Sequence, residues 1–501
     1  MKKQVLLSGV AIAALISATA EAGTLFLAQM NGANEVPANT STATGIGVLI
    51  LNDARTSATV TGTHNLASVG ANVIAGHIHR GIAGVNGPVI FPFPTPASPI
   101  GPLTWAIPAA DVTNLENAGL YFNIHTTARP GGEIRAQLIR AVLAPSATTT
   151  AQRNLAAALD VSAGFSADLD QALIQANLLS SAAAKAQALD EISARSVYVQ
   201  GRASNEAMAS LSGSLLARAE DNRGADGSGA FGAIGYDFGK RSTTADGTGS
   251  KIERPFIMAG YEGAYDGGRA GLALGYAAGE EKLRQSLGKT EVDTIAVQGF
   301  FTAALAEDFY VDGTLGYGWS DIDTSRALPT LARTATSSHD GNVWSAALKL
   351  SKEFEMGNDG VAAPYGAIEY QKSDIDGYTE GGAGALGLVV PSLDTKEAAI
   401  EAGASFSMPS KQSWGTLAPR ILLGWRHVID ETNGTFNATV VGSSVAFATP
   451  IAHPGAGSAR IEASLVGSMN DGPTISFGYR GRVAGSGQDI HALELRARFK
   501  M

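Results

Sequence analysis

The sequence predicts an all-β protein with a helical linker: a 12-stranded transmembrane β-barrel at the C-terminal end and a small β-sandwich near the N-terminus. Three observations carry that reading. From Gly227 to Met501 the apolar pattern has a period of two. Residues 23–144 are rich in Val, Ile, Thr, Asn, Gly and Pro with frequent turn signals. Between them, residues 145–223 are dominated by alanine, with leucines at helical spacing.

Composition narrows the function classes first. The chain has 501 residues, too many for one ordinary domain. It carries 36 Lys+Arg against 46 Asp+Glu, a net charge of -10, and no basic block, which argues against an electrostatic nucleic-acid binder. There is no cysteine, so disulfides, thiolate zinc sites and cysteine nucleophiles are excluded. Charged residues are scarce at 16% and glycines plentiful at 60, a balance that suits a β-rich exported protein.

The first element is an address. Lys2 and Lys3 precede an apolar run from Val5 to Ala18, and Ala20-Glu21-Ala22 has the small-x-small form of a cleavage site, so residues 1–22 read as a secretory signal peptide cut after Ala22. Ser8 and Ser17 interrupt a run already shorter than the ~20 apolar residues a spanning helix needs. No other segment is long and apolar enough to cross a membrane as a helix, so membrane entry requires a closed barrel.

The second element, 23–144, has five arginines, five acids and no lysine. It is long enough to bury a core as a sandwich. Pro88, Pro92, Pro94, Pro96, Pro99, Pro102 and Pro108 crowd one stretch, which reads as a long surface loop. The third element, 145–223, is read as helices, with Leu155, Leu159, Leu169, Leu173 and Leu189 marking their faces. Its last helix, about Ala203 to Arg218, carries small residues on most of its surface (Ala203, Ala207, Ser210, Ser214, Ala217) and is thin enough for a narrow channel.

The fourth element, 227–501, contains twelve alternating segments starting near 229, 253, 268, 290, 307, 342, 362, 396, 414, 457, 473 and 487. Leu493, Leu495, Ala497, Phe499 and Met501 alternate with Glu494, Arg496, Arg498 and Lys500 in the last of them. Short connections near 266–267, 306–307, 409–410 and 471–472 alternate with long ones at 322–341, 375–394 and 429–456. That is the loop asymmetry of outer-membrane barrels, whose periplasmic turns are short. Arg420, Arg480, Arg496 and Arg498 fall on the lumen side, free to pair with acids on the plug helix or loops, or simply hydrated.

Specific residues in this half carry a family resemblance. Ala188-Leu189-Asp190-Glu191-Ile192-Ser193 resembles the short helix motif preceding autotransporter (type V secretion) barrels, and Gly478-Tyr479-Arg480-Gly481 their late Tyr-x-Gly turn. Leu493–Met501 is similar to the family's closing strand, although family members usually end in an aromatic and here Phe499 lies two residues short. The resemblance implies a barrel anchored in outer-membrane lipid of a Gram-negative bacterium, inserted by the barrel-assembly machinery, with an N-terminal passenger tethered through a lumen helix. Some members cut that helix at Asn-Asn; here Asn205-Glu206 stands instead, so the passenger is expected to stay attached.

The passenger has its own resemblance. Gly76-His77-Ile78-His79-Arg80-Gly81 with Asn86-Gly87-Pro88-Val89, then Leu120–Thr126, then Pro130–Leu138, match the CHRD domain in order. That implies an immunoglobulin-like β-sandwich and leaves its activity undefined. Four of the eight histidines, His64, His77, His79 and His125, lie in this module. His77 and His79 are two apart on a strand and share a face. With His125 they form a candidate zinc or copper site. The His-x-His pair also faintly resembles copper/zinc superoxide dismutases, without a further motif supplying a bridging histidine and aspartate. The competing reading is a hydrogen-bonded cluster that holds the adjacent turns, with Glu133 and Arg135 as partners.

No Gly-x-Ser-x-Gly elbow or phosphate loop is present, so nucleophilic catalysis has no support. The expectation is therefore a non-enzymatic surface module that binds or adheres to an unknown extracellular ligand. Two alternatives stay open: a His-ligated metalloenzyme, and a plain pore with a periplasmic module.

Overall fold

The computed structural model describes residues 22–223, 227–245, 247–357, 359–451, 455–483 and 487–501. The signal segment, 1–21, lies outside the described residues; Ala22 lies within them. Among the described residues no helix is long and apolar enough to cross a membrane.

The N-terminal module is built from β1 (Gly23–Asn31), β2 (Thr44–Asn52), β3 (Ala58–His64), β4 (Val73–Arg80), β5 (Val89–Pro92), β6 (Ile100–Trp105), helix α1 (Ala109–Glu116), β7 (Leu120–Thr126), β8 (Ile134–Gln137) and β9 (Ile139–Arg140). Its strands follow the order β5-β4-β7-β8-β1-β2-β3-β6. β8 and β1 share the register pair Asn31↔Arg135, so the sheet folds there into two four-stranded layers. The core lies between them: Phe26, Met30, Leu49 and Val60 from one layer meet Ile78, Phe122, Ile124 and Ile134 from the other.

The proline-rich stretch departs from expectation. Instead of one long loop it supplies both edge strands, and Phe93, Ile100 and Trp105 are buried. Proline cannot donate a ladder hydrogen bond and is tolerated only where one strand side is unpaired. Pro92 and Pro102 therefore sit in β5 and β6, at the sheet's two edges.

The linker folds into α2 (Thr150–Leu159), α3 (Ala167–Asn177), α4 (Ala182–Ile192) and the long α5 (Tyr198–Asp221). Side chains cap the first three: Thr149 and Gln152 form a reciprocal capping box, and Ser166 and Ser181 accept from backbone amides in the first turns of α3 and α4. Leu25, Leu27, Val48 and Ile50 of the module join Leu155, Leu159, Leu169 and Leu173 of the helices in one apolar cluster. Strands β1 and β2 thus bury both faces. This explains why Val48-Leu49-Ile50-Leu51 is continuously apolar rather than alternating.

The barrel closes with twelve wall strands, starting at Gly229, Ser250, Gly268, Gly288, Phe309, Arg333, Gly360, Leu393, Gly415, Gly457, Thr474 and Gln488. Every neighbour is antiparallel, and the first strand pairs with the last from Gly229↔Lys500 to Arg241↔Gln488. Both barrel ends therefore share the rim that carries the short turns. The outward face is apolar and uncovered: Leu272 is 66% exposed, Leu274 59% and Trp425 58%. A soluble sandwich would hide such residues; a lipid-facing wall displays them.

The long connections also differ from expectation. Residues 322–341 are not a loop but the upper part of a hairpin, Phe309–Leu328 with Arg333–Lys352, each strand 20 residues long. A tilted strand crosses the hydrocarbon in about 9–11 residues, so this pair projects well beyond it. The connections around 376–392 and 432–456 contribute a separate four-stranded sheet (Tyr378–Thr379, Leu388–Val390, Thr435–Val440, Phe447–Pro450). Helices α2–α4 pack on this cap. Arg333 forks onto Asp168 at 2.8 and 2.6 Å, Thr330 donates to Glu191, and Asn154 donates to the Ala448 carbonyl at 2.7 Å.

Candidate functional site

Two polar constellations stand out, one inside the barrel and one on the module. The first is the lumen. Helix α5 passes down it from the capped mouth, where Gln200 donates to the Tyr378 hydroxyl at 2.8 Å. Its far end lies where Arg496 meets Asp221 at 2.7 Å. Small residues make the passage possible from both sides. A Cβ on Gly275 of the wall would come within 2.8 Å of Leu211, and one on Gly201 of the helix within 2.6 Å of Thr395.

Each acid of the helix finds cations on the wall. Glu206 is held by Arg241 and Arg254, with Gln488 donating to it as well. Glu220 pairs with Lys349 and Arg420, and Asp221 with Arg420 and Arg496. In the opposite sense, Arg218 pairs with Glu262 and lies 3.7 Å from the Phe231 ring centroid. Arg223, just past the helix, reaches Asp312 and Glu353.

Of the four lumen arginines singled out by sequence, Arg420 and Arg496 engage helix acids. Arg480 donates to the Ser210 carbonyl of the helix at 3.2 Å and pairs with Glu494, while Arg498 pairs with Glu262 of the wall. They are paired groups rather than merely hydrated ones. Buried charges of this kind require opposite partners because desolvation costs each several kcal/mol. The result is a helix matched to one rotational and axial setting.

The second constellation is the histidine face. On β4, Ile78 points into the sandwich core, so His77 and His79 point out. On β7, Phe122 and Ile124 point in, so Tyr121, Asn123 and His125 point out. Register sets His77 opposite Asn123 and His79 opposite Tyr121. The three imidazoles converge, with centroids 5.4 Å (His77–His79), 5.1 Å (His77–His125) and 6.1 Å (His79–His125) apart. One ring nitrogen of each lies within 4.8 Å of the others.

Two rings are fixed from behind. His79 Nδ1 is 3.0 Å from the Gly87 carbonyl and His125 Nδ1 is 2.9 Å from the Pro130 carbonyl. Tyr121 stacks on His79 at 4.8 Å, and the Arg135 guanidinium lies 3.5 Å from the Tyr121 centroid. Gly87 could not be another residue: a Cβ there would fall 1.5 Å from the Arg80 carbonyl oxygen. Burial lowers the pKa of all three imidazoles. It takes His77 to about 4, with the neighbouring His125 and His79 adding to the effect. Burial also raises Glu35, at the rim of this face, to about 7 against the pull of Arg135.

The anticipated partners do not touch the rings. Glu133 binds Thr126 and Arg129, and Arg135 binds Asn86 and the Val85 carbonyl. They hold the flanking turns, while backbone carbonyls hold the histidines. His64 lies elsewhere, bonded to the Pro96 carbonyl at 2.9 Å. Sequence reading missed Tyr121, Asn123 and Glu35. The first two could have been found by stepping back by twos from His125.

Comparison with known proteins fits both regions. A family model described as an autotransporter beta-domain matches residues 194–480, and one described as a CHRD domain matches residues 26–138. The uncharacterized protein YaiT of Salmonella typhimurium is 28% identical over 206 residues, 38% of this chain and 19% of YaiT. An extracellular serine protease of Serratia marcescens is 25% identical over 280 residues, 53% of this chain and 25% of the protease. The chain thus spans a quarter or less of the length of these relatives. Among solved structures, the translocator domain of the autotransporter NalP from Neisseria meningitidis is 17% identical, covering 61% of this chain and 100% of that one at a TM-score of 0.48. The transport unit of AIDA-I from Escherichia coli is 14% identical, covering 60% and 99% at 0.41. With a barrel model matched over more than half its length, this chain belongs to the autotransporter β-domain family, and its N-terminal module is a CHRD domain.

Proposed function

We propose that this outer-membrane autotransporter carries its own CHRD module to the cell surface and keeps it there as a binding module. The observation that carries the reading is the direction of α5. The helix leaves the lumen at the mouth bearing the long connections, and the module lies on that side, opposite the rim where Gly229 meets Lys500. The barrel is a channel and anchor rather than an enzyme. Lasting attachment is favoured by the uninterrupted helix through Asn205-Glu206, where the Asn205 amide donates to Thr395 at 3.1 Å.

Room for a ligand is offered by a cleft of about 730 Å³ between the module and the linker helices, lined by Gln29, Glu35, Arg135, Arg140 and Lys185 among others. Its size falls in the range of small-molecule sites. Its cations outnumber its acid, which suits an anionic group on the ligand.

The cysteine-free chain makes the test clean. Ala54→Cys, exposed on the module, is labelled by a membrane-impermeant thiol reagent on intact cells, while Asp471→Cys in a short turn is not. If Ala54→Cys reacted only after the outer membrane was opened, the module would be periplasmic and the barrel a plain pore.

A further inference from the structure

We propose that the CHRD module holds one transition-metal ion of the zinc(II)/copper(II) class on the imidazoles of His77, His79 and His125. The inference concerns the module alone and stands whichever side of the membrane it occupies.

The back-side hydrogen bonds decide the tautomers. A carbonyl oxygen can only accept, so the Nδ1 atoms of His79 and His125 carry the protons given to Gly87 and Pro130. In the neutral rings Nε2 is then a lone pair. Rings clamped from behind by a carbonyl, with the other nitrogen free, are the arrangement of metal-bound histidines. Those Nε2 atoms, and Nδ1 of His77, are buried with no hydrogen-bond partner. So is the Oδ1 atom of Asn123 on the same face of β7.

A purely structural cluster would need donors pointed at these atoms. Among the described residues no hydrogen bond joins the three rings, and the Nε2 lone pairs of His79 and His125 face the same point as His77 Nδ1 with no donor aimed at them. A cation satisfies all three together.

The spacing fits with a small adjustment. Bonds of about 2.0–2.1 Å to one ion set the nitrogens about 3.3–3.5 Å apart, against an upper bound of 4.8 Å here. His77 can supply the movement, since among the described residues no carbonyl fixes its ring and it is only partly buried, while His79 and His125 are each 8% exposed. Entry is from the His77 side, which leaves a further coordination position open to water or to a donor atom of a ligand. An all-imidazole set suits zinc and copper(II), with copper(II) the tighter of the two.

The test uses the full-length protein in detergent, stripped with a chelator and titrated separately with Zn²⁺ and Cu²⁺. One equivalent per chain is expected, with the copper spectrum in electron paramagnetic resonance showing three nitrogen donors. His125→Ala should weaken binding at least ~100-fold, since loss of an outer-shell partner alone costs 10–100-fold. His64→Ala should bind like the parent. If His125→Ala does not fold, His77→Gln decides, because that ring anchors nothing else in the module. Binding of less than about half an equivalent, unchanged affinity in His77→Gln, or a copper spectrum without three nitrogens would each overturn the site.

Discussion

The barrel wall and the CHRD sandwich are written in the same alphabet of alternating strands, yet they are inside out with respect to one another. In the sandwich, Phe122 and Ile124 turn inward and are fully buried, and Asn123 and His125 turn outward. In the wall, Leu272 and Leu274 turn outward and stay exposed, while Glu262, Arg269 and Arg498 are buried inside. Period two fixes that two faces differ; it does not say which one meets the solvent. That is decided by closure and by the medium, since lipid accepts apolar surface that water rejects.

The contrast can be broken most forcefully at the sandwich core. Phe122→Ala should destabilise the module by about 3–5 kcal/mol, seen as faster proteolysis of the module, with the barrel's heat-modifiable migration unchanged. Next comes the wall. Leu272→Arg should cost about 2–4 kcal/mol if the residue lies near the bilayer midplane, read from the urea midpoint of the barrel in lipid vesicles. Leu272→Ala should cost much less, because no protein cavity opens there.

A third test probes the lumen. Glu206→Gln leaves Arg241 with Glu281 and Arg254 with Asp237, so the loss should be partial, about 1–3 kcal/mol. Its readout is functional: a looser helix raises single-channel conductance in planar bilayers, and an unchanged conductance would show that the helix does not depend on that anchor.

The smallest effect belongs to the linker. Asp170 accepts from the Gly164 amide at 2.7 Å, but burial outweighs that bond and raises its pKa from 3.8 to about 6. The folded state therefore holds a proton that the unfolded state has released, so this group's contribution falls as pH rises from about 4 through 6. The helical cap should be less stable at pH 7.5 than near pH 5. Asp170→Asn should flatten that slope, measured by thermal unfolding across the range.

Much of the fold was legible because it is local. Eleven of the twelve wall strands start within about three residues of the positions expected from alternation. The largest displacement, Arg333 against an expected 342, arises because polar residues such as Thr334 and Ser337 look like loop, yet pair as an extended hairpin above the membrane. The proline-rich stretch misled for the opposite reason: whether a proline lies on a sheet edge depends on strand order, which no short window contains. At the site, the spacing of His77 and His79 and the presence of His125 were visible. The Gly87 and Pro130 carbonyls that orient the rings were not, because backbone atoms leave no mark in a residue pattern.

By itself the amino-acid order determined the strand periodicity, the thin alanine- and serine-bearing helix and the two families, all consequences of which side chains neighbour each other along the chain. The tertiary structure alone decided which arginine meets which acid in the lumen, that β1 and β2 are covered on both faces, and that three imidazoles share one point. Those outcomes depend on residues far apart in sequence meeting at ångström distances, and only chain closure and packing set such distances.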